Sequence, residues 1–137
     1  MYVLIYSLVF FIAIIELPMA EKSPLRVEQF DQLQFVPRFE YGDMAEVTEI
    51  CGSKDGSELA TGWGRMTNAY IPWTIKYDEA LTVFDGQLRL HEGGDVHVLN
   101  PKDSIWLPAG SELVYEAKFA LIHFAIHPSN WHEIDDQ

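Results

Sequence analysis

Residues 70–115 constrain the fold most strongly, because tight turns divide them into short apolar segments. Asp85-Gly86 and Gly93-Gly94 are dipeptides typical of two-residue β-hairpin turns. Short strands separated by such frequent turns predict an all-β chain folded as a small antiparallel barrel or sandwich. The predicted strands of this stretch are residues 80–84, 87–91, 95–99, 103–107 and 112–115, with a Pro108-Ala109-Gly110 corner before the last.

The segment before this stretch supplies the predicted edge of the sheet. Residues 45–51 alternate polar and apolar side chains, which predicts a strand. Residues 34–39 predict an edge strand, because Pro37 cannot donate a hydrogen bond to a neighbouring strand. An open strand edge tends to pair with another chain, so we expect a homodimer formed through residues 35–50.

Two further strands and a tail complete the predicted order. Residues 59–67 predict a bent strand, because Gly62 and Gly64 allow a bulge or a close backbone approach. Residues 119–127 are mostly apolar, which predicts a central strand buried on both faces. Residues 133–137 are mainly charged and are predicted to fray.

Composition narrows the class of protein. A chain of 137 residues with 48% hydrophobic residues is long enough for one domain with a core. The net charge of −12 argues against a nucleic-acid partner, because phosphate binding needs clustered lysine and arginine. Cys51 is the single cysteine, which excludes an internal disulfide and a cysteine-rich zinc site.

The N-terminal segment, residues 1–18, is almost entirely apolar and has three interpretations. The first is a weak signal peptide, and the second is a membrane anchor. The third is that translation starts at Met19, so that residues 1–18 are not part of the protein. We favour the third, because the apolar run is short for a bilayer span and has no preceding lysine or arginine. This choice predicts a single domain over residues 19–137, a cytoplasmic location and no stable membrane association. The alternative is an exported or membrane-anchored protein.

Four motifs over residues 45–131 resemble the EutQ cupins of ethanolamine utilisation. The resemblance implies a cupin fold, which is a double-stranded β-helix or jelly-roll barrel of the RmlC-like type. It also implies an accessory role in ethanolamine-type catabolism. The motifs are Trp73-Thr74-x-x-Tyr77-Asp78-Glu79, Val83-x-x-Gly86-x-Leu88, Pro108-x-Gly110 and Pro128-x-Asn130-Trp131.

The metal site of many cupins has no counterpart in these motifs. Metal-dependent cupins carry two histidines ahead of the motif glutamate and a third after the second motif. The corresponding residues here are Pro72 and Thr74, or Trp73 and Ile75 in a shorter spacing, and then Leu113. A lone glutamate does not hold a transition metal, so this departure from the cupin pattern predicts a protein without a metal or another cofactor.

Two histidines leave one alternative open. His123 and His127 are four residues apart and therefore share one face of a strand. They would join Glu79 in a non-standard metal site if that face pointed inward. The more common role of such histidines is structural.

A candidate site follows from the alternation of the strand that contains Glu79. Tyr77, Glu79, Leu81 and Val83 fall on one face, which we expect to point into the barrel. A carboxyl group in an apolar cavity has a raised pKa, which suits Glu79 to act with Tyr77 as a catalytic acid or base. Lys76 or Arg65 is the expected partner if Glu79 is instead held in an ion pair.

Aromatic residues complete the predicted ligand site. Trp73, Tyr70 and Tyr115 are expected to line the cavity beside Glu79 and Tyr77. Their rings would attract a cationic ligand such as an amine. Trp106 and Phe84 are instead expected to be core residues.

Two classes of function are compatible with these residues. The first is a metal-independent cupin that binds a small metabolite. The second is an enzyme, either an acetate kinase as the resemblance implies, or a lyase or isomerase that uses Glu79 and Tyr77. The sequence contains no glycine-rich phosphate loop, and its negative charge repels ATP, which argues against the kinase.

Overall fold

Antiparallel strands account for most of the computed structural model, which describes residues 21–135. The predicted boundary at Met19 and the segment 1–18 lie outside the described residues. The strands are β1 (Val36–Pro37), β2 (Ala45–Cys51), β3 (Ala60–Thr74), β4 (Asp78–Gly86), β5 (Leu88–Glu92), β6 (Asp95–Leu99), β7 (Ser104–Leu107) and β8 (Glu112–His127). Short 3-10 turns lie at Phe30–Gln32, Phe39–Tyr41 and Ser53–Asp55, and one helix, α1, spans Trp131–Asp135. Within residues 21–135, no helix is long and apolar enough to cross a membrane.

Strands β3 and β8 pair along their whole lengths and bend at the same level. In each strand, successive buried residues are normally two apart, but here Met66 is followed by Ala69 in β3 and Ala117 by Ala120 in β8. The face that points inward therefore changes at this level in both strands. Met66 lies opposite Ala120, and Ala69 lies opposite Ala117, so both exchanges occur at one bend in the pair. Asn68 lies at this bend with a positive φ of 45°. Each strand can therefore line both halves of the barrel.

Two predicted strand boundaries near this bend were wrong. Residues 59–67 were predicted to end before the next segment, but β3 continues through Pro72, which pairs with Val114. Residues 112–115 and 119–127 were predicted as separate strands and form the single strand β8. The alternation of buried and exposed side chains shifts by one residue at the bend, so the sequence looks like two separate strands. The two backbones nevertheless pair on both sides of it.

Strand β8 is central, as predicted, because it pairs with β3, β4 and β5. The prediction that it is buried on both faces was wrong. Ile122, Phe124 and Ile126 are buried, whereas the alternate residues, including His123, are only half-buried. The outer face is partly covered at His123, whose ring lies next to those of Trp63 and Phe84.

Strand β4 alternates as predicted. Tyr77, just before the strand, and Glu79, Leu81 and Val83 are buried. The predictions that Phe84 and Trp106 are core residues were wrong, since they are 54% and 61% exposed. Phe84 lies on the outward face of β4, and Trp106 lies opposite Ala80 of that same face.

The two ends of the described chain differ from each other. Residues 34–39 contain β1, which pairs only with β2 and forms one edge of the sheet, as predicted. The prediction that residues 133–137 fray was wrong for the part of them that the structure describes. Residues 133–135 belong to α1, which packs onto the barrel. Trp131 of α1 is buried against Tyr77 and Phe124, with ring centres 6.2 and 6.1 Å apart.

Gly86 is the glycine at which backbone conformation and space are both restrictive. Its φ is +75°, and an added Cβ atom would lie 2.1 Å from the Phe119 carbonyl oxygen. Gly93 also has a positive φ, of +57°, but an added Cβ there would meet no atom within 4 Å. The two positions therefore separate conformational strain from a steric clash.

We expect Gly86→Ala to lower the free energy of unfolding by about 3 kcal/mol or more, and Gly93→Ala by about 1–2 kcal/mol. Both variants pay for a positive φ, and Gly86→Ala must also displace the backbone of Phe119. Urea unfolding with a common m-value would measure both losses. Equal losses would show that the backbone near Phe119 yields without cost.

Candidate functional site

A small cavity lies inside the barrel beside Glu79. Its volume is about 50 Å³. One water-sized sphere requires roughly 10–15 Å³ on the same scale, so the cavity has room for on the order of three to five nonhydrogen atoms. Its polar lining residues are Arg38, Glu46, Arg65, Trp73, Tyr77, Glu79 and Tyr115, and its apolar lining includes Ile71, Ile122, Phe124, Ile126 and Trp131.

Glu79 is a buried acid in the middle of the sheet. It lies between Leu107 of β7 and Ile126 of β8, and the residue is 6% exposed. Among the described residues, no side chain donates a hydrogen bond to its carboxyl group. Burial raises the pKa of Glu79 to about 7, although the positive charge of Arg38 opposes this rise.

Two tyrosine hydroxyls share the interior with Glu79. Burial raises the pKa of both Tyr77 and Tyr115 above the usual tyrosine range, so both remain protonated at neutral pH. The Tyr77 hydroxyl oxygen accepts a hydrogen bond from Arg38 Nη2 at 3.0 Å. The Tyr77 hydroxyl group also donates a hydrogen bond to the Asp135 carboxyl group. Tyr115 retains a proton that it can donate to a ligand.

Arg38 brings a positive charge into this interior from the edge of the sheet. Its backbone N–H, just after β1, donates to the Ala45 carbonyl oxygen at 3.0 Å. Its side chain is 19% exposed, and its Cζ atom lies 4.8 Å from the Trp73 ring centre and 5.2 Å from that of Trp131. Such contacts with aromatic faces stabilise a guanidinium that is removed from water.

The acid that pairs with Arg38 comes from α1. Asp135 Oδ2 lies 3.5 Å from Arg38 Nη2, and the Asp135 side chain is buried. Burial raises the pKa of Asp135, whereas the nearby Arg38 charge lowers it. Three buried polar atoms of this group have no hydrogen-bond partner, namely Arg38 Nη1, Trp73 Nε1 and Asp135 Oδ1. Unpaired buried polar atoms cost free energy, so this group of side chains lowers the stability of the fold.

The cation that influences Glu79 is therefore not one of those predicted. Arg65 was a predicted partner, but its Nη2 atom lies 2.7 Å from Glu46 Oε2 on the adjacent strand. Lys76 was the other, and its Nζ atom donates to the Ile134 carbonyl oxygen at 3.4 Å. Arg38 takes their place, because its side chain lies against Trp73 and Trp131 beside the cavity and its charge lowers the pKa of Glu79.

Four of the five predicted site residues come together at the cavity. These are Trp73, Tyr77, Glu79 and Tyr115. Tyr70 does not join them, since it is 61% exposed and its ring lies 6.3 Å from that of His91 on the outer surface. Its neighbours in β3, Ala69 and Ile71, take the inward positions, so Tyr70 must face outward.

The two candidate histidines also face outward. His123 contacts the ring of Trp63 on the outer face of β8, with ring centres 5.0 Å apart, and His127 is exposed. Both alternate with the buried residues Ile122, Phe124 and Ile126. They therefore do not join Glu79 in a metal site.

The residues around Glu79 do not fit the metal that many cupins bind. Leu113, at one expected histidine position, is a buried apolar residue that pairs with Trp73. The Arg38 charge near Glu79 opposes a divalent cation, and the nearby tyrosines remain protonated. Within residues 21–135, no group of three histidine, cysteine, aspartate or glutamate side chains could hold a metal ion.

Sequence reasoning missed Arg38, Asp135 and the inward role of Trp131. Trp131 carried a signal, because it ends one of the motifs quoted above, and a tryptophan in a charged tail is unusual. Arg38 and Asp135 carried none, because an arginine after an edge strand and an aspartate near a terminus are ordinarily exposed.

The family is decided by a match along most of the chain. The profile of the family described as "Ethanolamine utilisation protein EutQ" matches residues 25–133. The chain belongs to the EutQ family. Its fold is therefore the predicted all-β cupin, and the chain is related to ethanolamine utilisation.

Curated relatives agree with this membership over part of their length. The chain is 28% identical over 89 residues to "Acetate kinase EutQ" of Salmonella typhimurium, covering 64% of this chain and 39% of that protein. It is 29% identical over 92 residues to the protein of the same name from Escherichia coli, covering 64% and 38%. The chain thus spans about two fifths of the length of these relatives.

Solved structures show the same fold. A "putative ethanolamine utilization protein q" from Salmonella typhimurium has a TM-score of 0.72 at 24% identity, covering 77% of this chain and 88% of that one. The Clostridium difficile EutQ protein has a TM-score of 0.61 at 23% identity, covering 64% of each chain. A cupin described as RmlC-like, from Shewanella frigidimarina, has a TM-score of 0.63 at 12% identity, covering 80% and 96%.

Glu79 predicts a pH dependence of the stability of this EutQ-family domain. Its pKa is about 7 when folded and 4.5 in the ordinary state, so the folded protein binds more protons between these values. The stability from this group is present in full below about pH 4.5 and is lost as the pH rises to about 7. The loss is about 3 kcal/mol.

We expect Glu79→Gln to reduce this fall in unfolding free energy between pH 5 and pH 8, as measured by urea titrations at several pH values. The matched control is Glu112→Gln, because Glu112 is an exposed carboxylate at the start of β8. That control should keep the wild-type dependence. Superimposable curves for the wild type and Glu79→Gln would mean that the Glu79 carboxyl titrates normally.

Proposed function

We propose that this EutQ-family cupin binds a small metabolite inside the barrel, without a metal, as an accessory protein of ethanolamine-type catabolism. The binding residues are Glu79, Tyr77, Trp73 and Tyr115, with Arg38 added to those predicted. The observation that carries the proposal is the state of Glu79. It is a buried acid that lines the cavity, and no side chain among the described residues donates a hydrogen bond to its carboxyl group. Burying an ionisable group in this way costs stability, which a structural role does not explain.

The size and lining of the cavity support a ligand of low molecular weight. About 50 Å³ corresponds to on the order of three to five nonhydrogen atoms. Apolar walls with a few convergent polar groups are typical of small-molecule sites. Metabolites with two or three carbon atoms have this size.

A second candidate function is acid–base catalysis by the same residues. A carboxyl group whose pKa is about 7 exchanges its proton readily near neutral pH, which suits a lyase or an isomerase. Tyr115 would donate a hydrogen bond to an oxygen that gains negative charge in the transition state.

The kinase activity named for the curated relatives is a further candidate for this chain. It would require ATP to bind a protein with a net charge of −12. The matched region covers about two fifths of those relatives, so the activity of the whole relatives does not transfer on this similarity alone.

A thermal-shift screen with amines, aldehydes and carboxylates of two or three carbons tests the proposal. We expect one class to raise the melting temperature by about 10 °C at 100 times its Kd, because such a ligand adds about 2.7 kcal/mol of stability. Glu79→Gln should abolish the response, and Glu112→Gln should leave it unchanged. A response that survives Glu79→Gln, or a screen with no response, would overturn the proposed site.

Two additional samples separate the candidate functions. Stabilisation by zinc, iron or nickel would contradict a metal-free protein. Formation of acetyl phosphate from acetate and MgATP would favour the kinase, provided that Glu79→Gln slows it.

The homodimer stays a prediction. The edge strand β1 (Val36–Pro37) pairs with β2 alone, which leaves its other backbone edge without a partner strand among the described residues. We expect sedimentation equilibrium at micromolar concentration to give twice the monomer mass. A single monomeric species under these conditions would contradict it.

A further inference from the structure

Two large aromatic side chains are exposed on the outer side of β4, the strand that carries Glu79, and of its neighbour β7. Trp106 of β7 is 61% exposed, and Phe84 of β4 is 54% exposed. They alternate with the buried residues Leu107 and Val83, so both rings point away from the barrel interior. A single exposed apolar residue is ordinary, but several on one surface mark an interaction site.

The surface around these two rings carries no charge. The outward side chains of β4, β7 and β8 beside the rings are small or neutral, namely Ala80, Thr82, Ser104, His123 and Ala125. Burial lowers the pKa of His123, so its ring is neutral at pH 7. The cores of protein interfaces are likewise depleted in charge and enriched in tryptophan and phenylalanine. We call this surface, including the two rings, the open face.

The relief of the open face is complementary to itself. Trp106 lies opposite Ala80, and Ala80 lies opposite Ala125 on the next strand, so a large ring borders two methyl groups. In a face-to-face pair with two-fold symmetry, the Trp106 ring of each copy would lie over the alanine methyl groups of the other. Such an isologous contact forms twice, because both copies use the same surface.

Charge favours the open face for contact with a second copy of the chain. Two chains of net charge −12 repel each other, and this repulsion costs least where the touching surfaces are neutral. Farther along the same side of the sheet, the chain covers its own aromatic surface, since the Phe30 ring centre lies 5.1 Å from that of Trp63. The uncovered part is therefore the open face on β8, β4 and β7.

Size separates the open face from the edge strand β1. Strand β4 has nine residues, a length of about 30 Å, whereas β1 has two residues, a length of about 7 Å. Each partner of a standard interface buries about 800 Å², which requires a surface roughly 30 Å across. The open face has a dimension of this order, and the β1 edge does not.

We propose that a second copy of this chain packs against the open face, with the two β4 strands back to back across a two-fold axis. The homodimer then forms through β4, β7 and β8 rather than through residues 35–50. Glu79 points from β4 into the barrel, whereas this interface lies on the other side of the strand. The inference therefore goes beyond the proposed ligand site and does not depend on it.

Acidic substitutions at the two rings test the proposal by sedimentation equilibrium of the full chain. We expect the wild type to be a dimer at micromolar concentration. Trp106→Glu and Phe84→Glu should each weaken dimerisation by about 30-fold or more, because each removes a buried aromatic anchor and symmetry applies the change twice. Tyr70→Glu is the matched control and should remain a dimer, because Tyr70 is also 61% exposed but lies outside the open face.

A substitution in β1 distinguishes the two candidate surfaces. Val36 is 54% exposed, so Val36→Glu places an acid at the β1 edge without disturbing the core. A dimer formed through the open face should be unaffected by this change. Weaker dimerisation in Val36→Glu, with no effect of Trp106→Glu, would overturn the proposal, and so would a wild type that is monomeric at micromolar concentration.

Tryptophan fluorescence gives an independent measurement that needs no acidic substitution. Burial of Trp106 in the dimer should shift the emission to shorter wavelength as the protein concentration rises. Trp106→Phe keeps an aromatic ring at this position, so it should still dimerise but lose the shift. If both acidic variants fail to fold, this comparison still decides, because a shift that persists in Trp106→Phe would place the interface elsewhere.

Discussion

The pairing of β3 with β8 is the interaction on which the rest of the fold depends. These strands run antiparallel from Ala60 opposite Ile126 to Thr74 opposite Glu112, and they bend together near Asn68. Because both strands exchange faces at one level, the same pair lines the two halves of the barrel. Strands β2, β4 and β5 attach to this pair, and β4 thereby places Glu79 against the inner face of β8.

The interior of the barrel is an unusual place for charge, and its chemistry follows from how that charge is balanced. In cupins with a metal, histidine side chains would surround Glu79, but here aromatic and aliphatic side chains do. The positive charge comes instead from Arg38, which is stabilised by the faces of Trp73 and Trp131. One cation near two buried acids keeps the group close to neutral when one acid is protonated.

The sequence predicts the local structure well where one periodicity holds along a segment. The alternation from Tyr77 to Val83 places Glu79 inward, and the Gly93-Gly94 turn lies between β5 and β6 as predicted. The alternation shifts at Asn68, where β3 turns its other face inward while it stays paired with β8. A period-two pattern therefore cannot show that the strand continues. The position of Arg38 depends on a long-range return of the chain, which neither composition nor spacing encodes.

The cationic side chain of the cavity is attached to the smallest strand in the sheet. Strand β1 has two residues and pairs with β2 alone, so it belongs to the part of the fold that opens at the least free energy. Transient detachment of this strand would withdraw the Arg38 guanidinium and leave Glu79 and Asp135 as buried acids without that cation. Opening of β1 would therefore raise the pKa of Glu79, because the Arg38 charge holds that pKa down. Amide hydrogen exchange in β1 would measure how often this opening occurs.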